Sequence, residues 1–379
     1  MNLTLAALVD RDAIPTPCFF FSANTVEQAV RYIRKELPAT ISYATKANCH
    51  PLMISAIRGL VDRFNITNVV QLKELLRCGV ESSRIDFVHP AAKAEAYCEA
   101  FELGVRRFVV DDERGIASLK RLGASVECTV RVMPFQNSGT GRALTRFGCA
   151  PEESTVVAKK LLDVGLNLHS VSFYVGASNT RQDGRSTHLT GLDTLSTVVE
   201  NLDRELVHLK AVNIGGGFPA FSSAFFQKLP EYFRNLRTAF VERFGETMEL
   251  VVEPGRYFAQ PSMSLYSRVV YDRNVGGRRL ISVDASAYAG MFDTSFVDPD
   301  GPPPVIVTPM RDGERCAAEL IGPLMDSYDV IQRNLWIPPL AEGDVVCFQA
   351  VGAYAWTYET KAEGSSPPTV IPVPYDVDV

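Results

Sequence analysis

Three stretches of this chain carry residues able to work together on an aldehyde that bears a ring nitrogen and a phosphate. The first is Ser42-Tyr43-Ala44-Thr45-Lys46-Ala47-Asn48, which starts from the apolar, β-branched Thr40 and Ile41 as a strand would and passes into small, turn-prone residues. A lysine at such a strand end can attack an aldehyde as an amine nucleophile. The second is Asn213-Ile214-Gly215-Gly216-Gly217-Phe218-Pro219, where three glycines let backbone N–H groups come close to an anion. The third, Glu253-Pro254-Gly255-Arg256-Tyr257, supplies an arginine that can pair with a phosphate and a glutamate that can face a ring nitrogen. Each also has a plainer account: a surface lysine, a tight turn, and a Glu253–Arg256 ion pair.

Bringing these stretches together requires strand ends that converge. Strand-like runs at 40–47, 63–67, 85–89, 107–111, 127–133, 170–176, 211–215 and 250–253 alternate with amphipathic, helix-like segments such as 69–78, 94–103, 113–122, 152–164 and 222–244. Repeats of this number over about 230 residues match a (β/α)8 TIM-type barrel, whose active site lies at the C-terminal ends of its strands. An open doubly wound sheet is the alternative. The barrel is preferred because chemically distinctive residues end several of the strands, as a closed ring of strand ends requires. After Arg256 the pattern changes to short strands at 262–271, 280–283, 305–308 and 344–351, separated by turns rich in Gly, Pro and Asp. The expected organisation is therefore an α/β barrel over 24–258 that binds the cofactor. A mostly-β domain of 1–23 and 259–379 would complete the active site, with a proline-rich loop at 298–304.

Composition narrows the class of partner. The 379 residues are enough for two domains at roughly 150 residues each. Their 46% hydrophobic and 22% charged content is that of a folded globular chain. A net charge of −6 offers no basic field for nucleic acid or an anionic membrane, which favours a small-molecule partner. The eight cysteines form no Cys-x-x-Cys pair, so no metal site is expected. Without a secretory signal or an apolar spanning segment, the expected location is cytoplasmic.

Together, the strand-one lysine, the Gly-Gly-Gly turn and Glu-Pro-Gly-Arg describe a site for pyridoxal 5'-phosphate (PLP). Over nearly its whole length the chain closely resembles the fold-type III PLP-dependent decarboxylases of ornithine, lysine, diaminopimelate and arginine, with alanine racemase a more distant cousin. The resemblance rests on Tyr-Ala-Thr-Lys-Ala-Asn (43–48), Arg-Phe-Gly (146–148), Val-Ser-Phe-Tyr-Val-Gly (171–176), Gly-Gly-Gly-Phe-Pro (215–219), Glu-Pro-Gly-Arg-Tyr (253–257), Gly-Pro-Leu-Met-Asp (322–326) and Gly-Ala-Tyr (352–354). It implies that Lys46 carries the cofactor covalently and that Glu253 pairs with its protonated ring nitrogen. Gly215, Gly216, Gly217, Gly255, Arg256 and Tyr354 would hold the phosphate side. Arg131 matches an arginine near the cofactor, with a surface ion pair as its alternative. It also implies a homodimer with shared active sites, the 322–326 segment being lent across the two-fold interface. Asp326 would then face the distal amino group of a basic substrate, with Asp298 as a second acid or an ordinary solvated loop residue.

Three departures from the family's pattern surround the expected chemistry. Met325 stands where relatives carry the cysteine that protonates Cα, and a thioether has no proton to give. Tyr174 replaces a histidine packed on the cofactor ring, keeping the aromatic face without the capacity for charge. Ala177 replaces a phosphate-binding serine, with Ser178 beside it. Smaller departures are Asn65 for an aspartate and Gln71 for a glutamate. The expected function is decarboxylation of a basic L-amino acid, ornithine-like or lysine-like, or of a modified derivative in a specialised pathway, giving amine and CO2 as in polyamine biosynthesis. Alternatives are a product diverted to an aldehyde or ketone because of Met325, a racemase or diaminopimelate-type enzyme, and a catalytically silent PLP-binding or regulatory homologue. Asp326 speaks against the diaminopimelate type, whose members usually place a glutamate there.

Overall fold

The computed structural model describes residues 15–123, 125–134, 146–176, 187–219, 228–293, 304–358, 360, 362–364 and 366–375. Asp298, Ala177 and Ser178 lie outside the described residues. The chain divides into two compact units, one of Val30–Pro219 with Ser223–Gly255, the other of Met1–Ala29, Ala220–Ser222 and Arg256–Val379.

The first strand, β1 (Cys18–Phe21), belongs to the second of these units. The first unit is a closed parallel barrel of β2 (Thr40–Ala44), β3 (Arg63–Ile66), β4 (Ile85–Phe87), β5 (Arg107–Val110), β6 (Glu127–Arg131), β7 (Asn167–Ser172), β8 (Ala211–Asn213) and β9 (Glu249–Val252). Ring closure is made by β9 on β2, with Val251 opposite Thr40 and Val252 opposite Ile41. The expected α/β barrel is thus present. Phe64, Ile66, Phe87, Phe108 and Val130 are essentially fully buried strand residues, the apolar set that a helix layer must cover. The helices start where the sequence offers caps: the Asn68 side chain accepts from Gln71 N at 2.9 Å, and Asp112 accepts from Gly115 N at 3.0 Å.

The inside of the ring differs from the usual stack of branched aliphatics. A small cavity, with room for about one water at ≈ 20 Å³, is lined from successive strands by Arg63, Asp86, Arg107, Glu127, His169 and Glu253 among others. Arg107 contacts both acids, with Nε 3.0 Å from Glu127 and Nη1 3.6 Å from Asp86.

One strand end departs from expectation. The run 40–47 is strand only to Ala44, and Thr45–Ala47 form a 3-10 turn. The reason is local: Ala44 N donates to Pro254 O at 3.2 Å, and the buried Tyr43 hydroxyl donates to Asn48 O at 2.8 Å, which folds the chain back. Lys46 therefore sits on a turn just past the barrel strand.

The second unit is built on β10 (Met263–Val275), a 13-residue strand that serves two sets of neighbours. Its first half pairs with β1, Leu265 opposite Phe19, and with β15 (Val345–Phe348). Past an irregularity between Val269 and Tyr271 it pairs with β11 (Arg278–Val283). The sheet continues through β13 (Cys316–Ile321) to β14 (Val330–Ile337), with β12 (Val305–Thr308) at its other edge and β16 (Thr369–Pro372) on β1. Strands β13, β14 and β16 were not expected from the sequence. Among the described residues, no helix is long and apolar enough to cross a membrane.

Candidate active site

At the C-terminal ends of the barrel strands, Lys46, Arg131, Tyr174, Gly215–Gly217 and Glu253 come from five different strand ends. Lys46 Nζ lies 5.2 Å from the centroid of the Tyr174 ring. On the same ring, the Arg131 guanidinium carbon is 5.7 Å from the centroid, and it is also 5.7 Å from the Phe147 ring. Tyr174, two residues past the end of β7, is thus flanked by two cations, a placement that suits an electron-rich face.

Glu253 follows β9 directly. Its backbone N–H donates to Gly215 O at 2.8 Å, and Asn213 Nδ2 donates to its Oε1 at 2.8 Å. Burial pushes its carboxyl above the usual glutamate range, opposed by the Asn213 hydrogen bond and by the charges of Arg131 and Lys46. Arg131, whose side chain was left open to a surface ion pair, is instead deeply placed. Burial pulls its guanidinium down, with Glu253 and Asp111 opposing, and its Nε is buried without a hydrogen-bond partner. An orphaned buried donor of that kind suits an anionic or acceptor group.

The glycine turn has a second reason for its composition. A Cβ at Gly215 would stand 2.3 Å from Phe173 O, at Gly216 2.4 Å from Glu253 O, and at Gly217 2.3 Å from Gly176 O. The turn is wedged backbone to backbone between the ends of β7 and β9. Gly215 and Gly217 also hold φ of +67° and +85°, which side chains disfavour. Gly255 is constrained similarly, since a Cβ there would lie 2.9 Å from Ala44 Cβ and 3.1 Å from Ala47 Cβ, beside the Lys46 turn.

In the β unit, Arg256 and Tyr354 occur together. The guanidinium lies 4.9 Å from the Tyr354 ring centroid and makes a bidentate pair with Asp293, at 2.5 and 3.0 Å. Arg256 therefore pairs with Asp293 and Glu253 with Asn213, in place of the Glu253–Arg256 pair that the sequence left open. Asp326 accepts from the Tyr288 hydroxyl at 2.7 Å and from Tyr328 N at 2.9 Å. The Tyr288 hydrogen bond holds its carboxyl below the usual range. Asp329 accepts from Ser286 Oγ, Ala287 N and Leu324 N, and so ties the 322–326 segment to the 286–288 turn.

Sequence reasoning missed Asp293, Asp86 and His188. Asp86 is a carboxyl inside the barrel, pushed up to about 6 chiefly by burial. His188 is fully buried and hydrogen-bonded to the glycine turn. Neither carries a motif; the only signal for Asp86 was its place in an alternating strand, Arg-Ile-Asp-Phe-Val (84–88).

An amine, a half-buried carboxylate, an aromatic face and an orphaned arginine donor at one barrel mouth fit the aldehyde, ring nitrogen and ring plane of PLP. Comparison with known proteins agrees. Residues 23–260 match the family model described as pyridoxal-dependent decarboxylase, pyridoxal binding domain. The chain is 26% identical over 352 residues to a lysine/ornithine decarboxylase of Selenomonas ruminantium, covering 93% of this chain and 88% of that one. It is 23% identical over 359 residues to a diaminopimelate decarboxylase of Vibrio cholerae, covering 90% and 84%. Among solved structures, the lysine/ornithine decarboxylase of Vibrio vulnificus complexed with cadaverine superposes with a TM-score of 0.86 at 23% identity over 96% of each chain. The arginine decarboxylase of Paramecium bursaria Chlorella virus bound to agmatine gives 0.86 at 21%, covering 97% and all of that chain.

Proposed function

Because the chain belongs to the pyridoxal-dependent decarboxylase family, we propose that it removes the carboxylate of a basic L-amino acid, ornithine-like or lysine-like, or of a modified derivative. The products are the amine and CO2, of the kind used in polyamine biosynthesis. The observation that carries the choice of substrate is Asp326, an acid kept ionised by the Tyr288 hydroxyl and the Tyr328 amide, beside the likeness to a lysine/ornithine decarboxylase. A fixed negative charge selects a distal ammonium.

Bound PLP supplies the electron sink for the pair left when the carboxylate departs. The protein's share is positioning and charge. Lys46 would hold the cofactor covalently through its side-chain amine. Glu253, held by Asn213, would accept a hydrogen bond from the protonated ring nitrogen. Arg131 offers its orphaned Nε to the cofactor and opposes the burial cost of the Glu253 charge. Tyr174 would pack its aromatic face on the ring. Gly215–Gly217, Gly255, Arg256 and Tyr354 serve the phosphate, with residues 24–258 as the cofactor-binding part of the chain and 1–23 with 259–379 completing the active site.

The assembly we infer is a cytoplasmic homodimer. Met325 and Tyr328 leave 94% and 71% of their surface exposed, which supports a second copy covering the 322–328 segment. Asp298 is proposed as a further substrate-facing acid.

A second reading is favoured by Met325 itself. With no proton to give at Cα, it leaves room for a carbonyl product in place of the amine, with dioxygen as the two-electron acceptor and the nitrogen leaving as ammonia. Mass spectrometry of the PLP-loaded protein with L-ornithine, L-lysine, L-arginine and meso-diaminopimelate decides. An amine from one of the first two supports the main reading, and an aldehyde or ketone supports the second. Met325→Cys should then raise the amine fraction. If none of them is consumed although the cofactor is bound, the substrate is a modified or conjugated amino acid; a protein that stays colourless with PLP supplied is a silent homologue.

A further inference from the structure

His188 is the second residue of the helix Thr187–Arg204 and has no accessible surface. Its ring stacks on Phe218 at 5.0 Å and 19° and stands 6.1 Å from Phe173. Its two nitrogens are both engaged: Nε2 lies 3.0 Å from Gly216 O, and Nδ1 lies 2.7 Å from the Tyr232 hydroxyl. Chemistry alone assigns the hydrogens. A carbonyl oxygen only accepts, so Nε2 must carry its hydrogen and donate it. A neutral imidazole then has Nδ1 as acceptor, and the Tyr232 O–H donates to it. Burial supports the neutral form, drawing the imidazole down to about 4 and pushing the Tyr232 hydroxyl up.

This chain runs from Leu229–Phe244, which carries Tyr232, through His188 into the middle residue of the glycine turn. The turn needs such a hold. Its flanking residues Gly215 and Gly217 are conformationally permissive, and a permissive backbone directs its N–H groups only if something fixes its carbonyls. Pinning Gly216 O sets the peptide plane that follows it, and with it the N–H of Gly217.

We propose that His188 is the positioning residue that preorganises the Gly215–Gly217 turn for the cofactor phosphate, with Tyr232 fixing the tautomer that does so. The inference rests on the assignment of that turn to the phosphate under Proposed function. It assigns no contact between His188 and the cofactor. What His188 contributes is the orientation of donors before the phosphate arrives, which lowers the ordering cost of binding.

The test compares two ligands that differ only in the phosphate. PLP and pyridoxal are titrated into the apo forms of the wild type, His188→Leu, His188→Gln and Tyr232→Phe, following cofactor absorbance, with far-UV circular dichroism confirming the fold of each. The expected wild-type result is a clear preference for PLP. In His188→Leu, which has no donor, the PLP dissociation constant should rise about tenfold while that for pyridoxal stays put, the scale of one lost buried hydrogen bond. His188→Gln, whose amide can still donate to Gly216 O, should recover most of the preference, and Tyr232→Phe should lose part of it. The proposal is overturned if His188→Leu keeps the wild-type ratio of the two constants, or if both ligands weaken equally, the mark of a merely structural role. Should His188→Leu fail to fold, an unchanged ratio in Tyr232→Phe overturns it. A wild type that binds both ligands equally overturns the phosphate assignment itself, a separate and recognisable failure that takes this inference with it.

Discussion

At the scale of single residues, two titratable groups inside the barrel unit pull stability in opposite directions across mildly acidic pH. His188 is drawn down from 6.5 to about 4. Between those values the unfolded chain binds the proton and the folded one does not, so the stabilisation present above 6.5 is lost as pH falls, by up to about 3 kcal/mol. Asp86 is raised from 3.8 to about 6. There the folded chain holds the proton that the unfolded chain has released, so stability is lost as pH rises through the same window, again by up to about 3 kcal/mol. The groups facing Asp86 are Arg63, Arg107, Glu253 and Ser42. In the wild type the two slopes oppose each other between pH 4 and 6. Relative to the wild type, urea unfolding midpoints over that range should rise more steeply with pH in Asp86→Asn and less steeply, or fall, in His188→Gln. Three parallel curves would show that neither shift is real. Catalytically, Lys46→Ala should abolish both the covalent cofactor band and turnover. Lys46→Ala turnover near wild type would remove Lys46 from the chemistry.

At the scale of elements, the turn 215–217 is held between strand ends, and its chemistry is inseparable from its packing. Gly216→Ala would drive a methyl into Glu253 O from 2.4 Å, so the loop or β9 must shift. The expected cost is about 1–3 kcal/mol of stability, together with weakened PLP binding because Glu253 moves with its carbonyl. Thermal melts of apo and loaded protein check both; unchanged melting and affinity would mean that the turn gives way freely. The barrel elements were legible because period and residue type agree in them: β-branched runs ended by Lys46, Arg131, Gly215 or Glu253, with amphipathic segments between. β13 escaped because Cys316-Ala317-Ala318 has little preference for strand, and its pairing depends on Ile281 and Leu335, far away in sequence. His188 escaped for the same reason. Its partners are 28 and 44 residues distant, and a histidine in a helical first turn has no pattern of its own. Asp86 reads as the polar residue of an alternating strand, and alternation does not tell which side of a closed ring is the inside.

At the scale of the whole molecule, the family assignment and a barrel with a mostly-β unit fit a PLP-dependent amino-acid decarboxylase. The exposed Met325 and Tyr328 make assembly the quantity to measure. Sedimentation should give a dimer, and Tyr328→Glu should weaken it at least tenfold, the scale expected for a charge placed in a buried interface. A wild type sedimenting as a monomer would remove the shared-site reading and leave the 322–328 segment without its expected cover.

The wedged glycines carry a last consequence, for how this chain can drift. Because each Cβ at 215, 216 and 217 would collide with the protein's own backbone carbonyls, selection for folding alone would keep all three unchanged, even in a lineage that had ceased to bind a cofactor. In a survey of tolerated substitutions their invariance would therefore report on architecture. Lys46 and Arg131, whose side chains are expected to act on the cofactor itself, are where relaxed selection would first become visible, and it is there that a descendant which had abandoned catalysis would be told from one that still works.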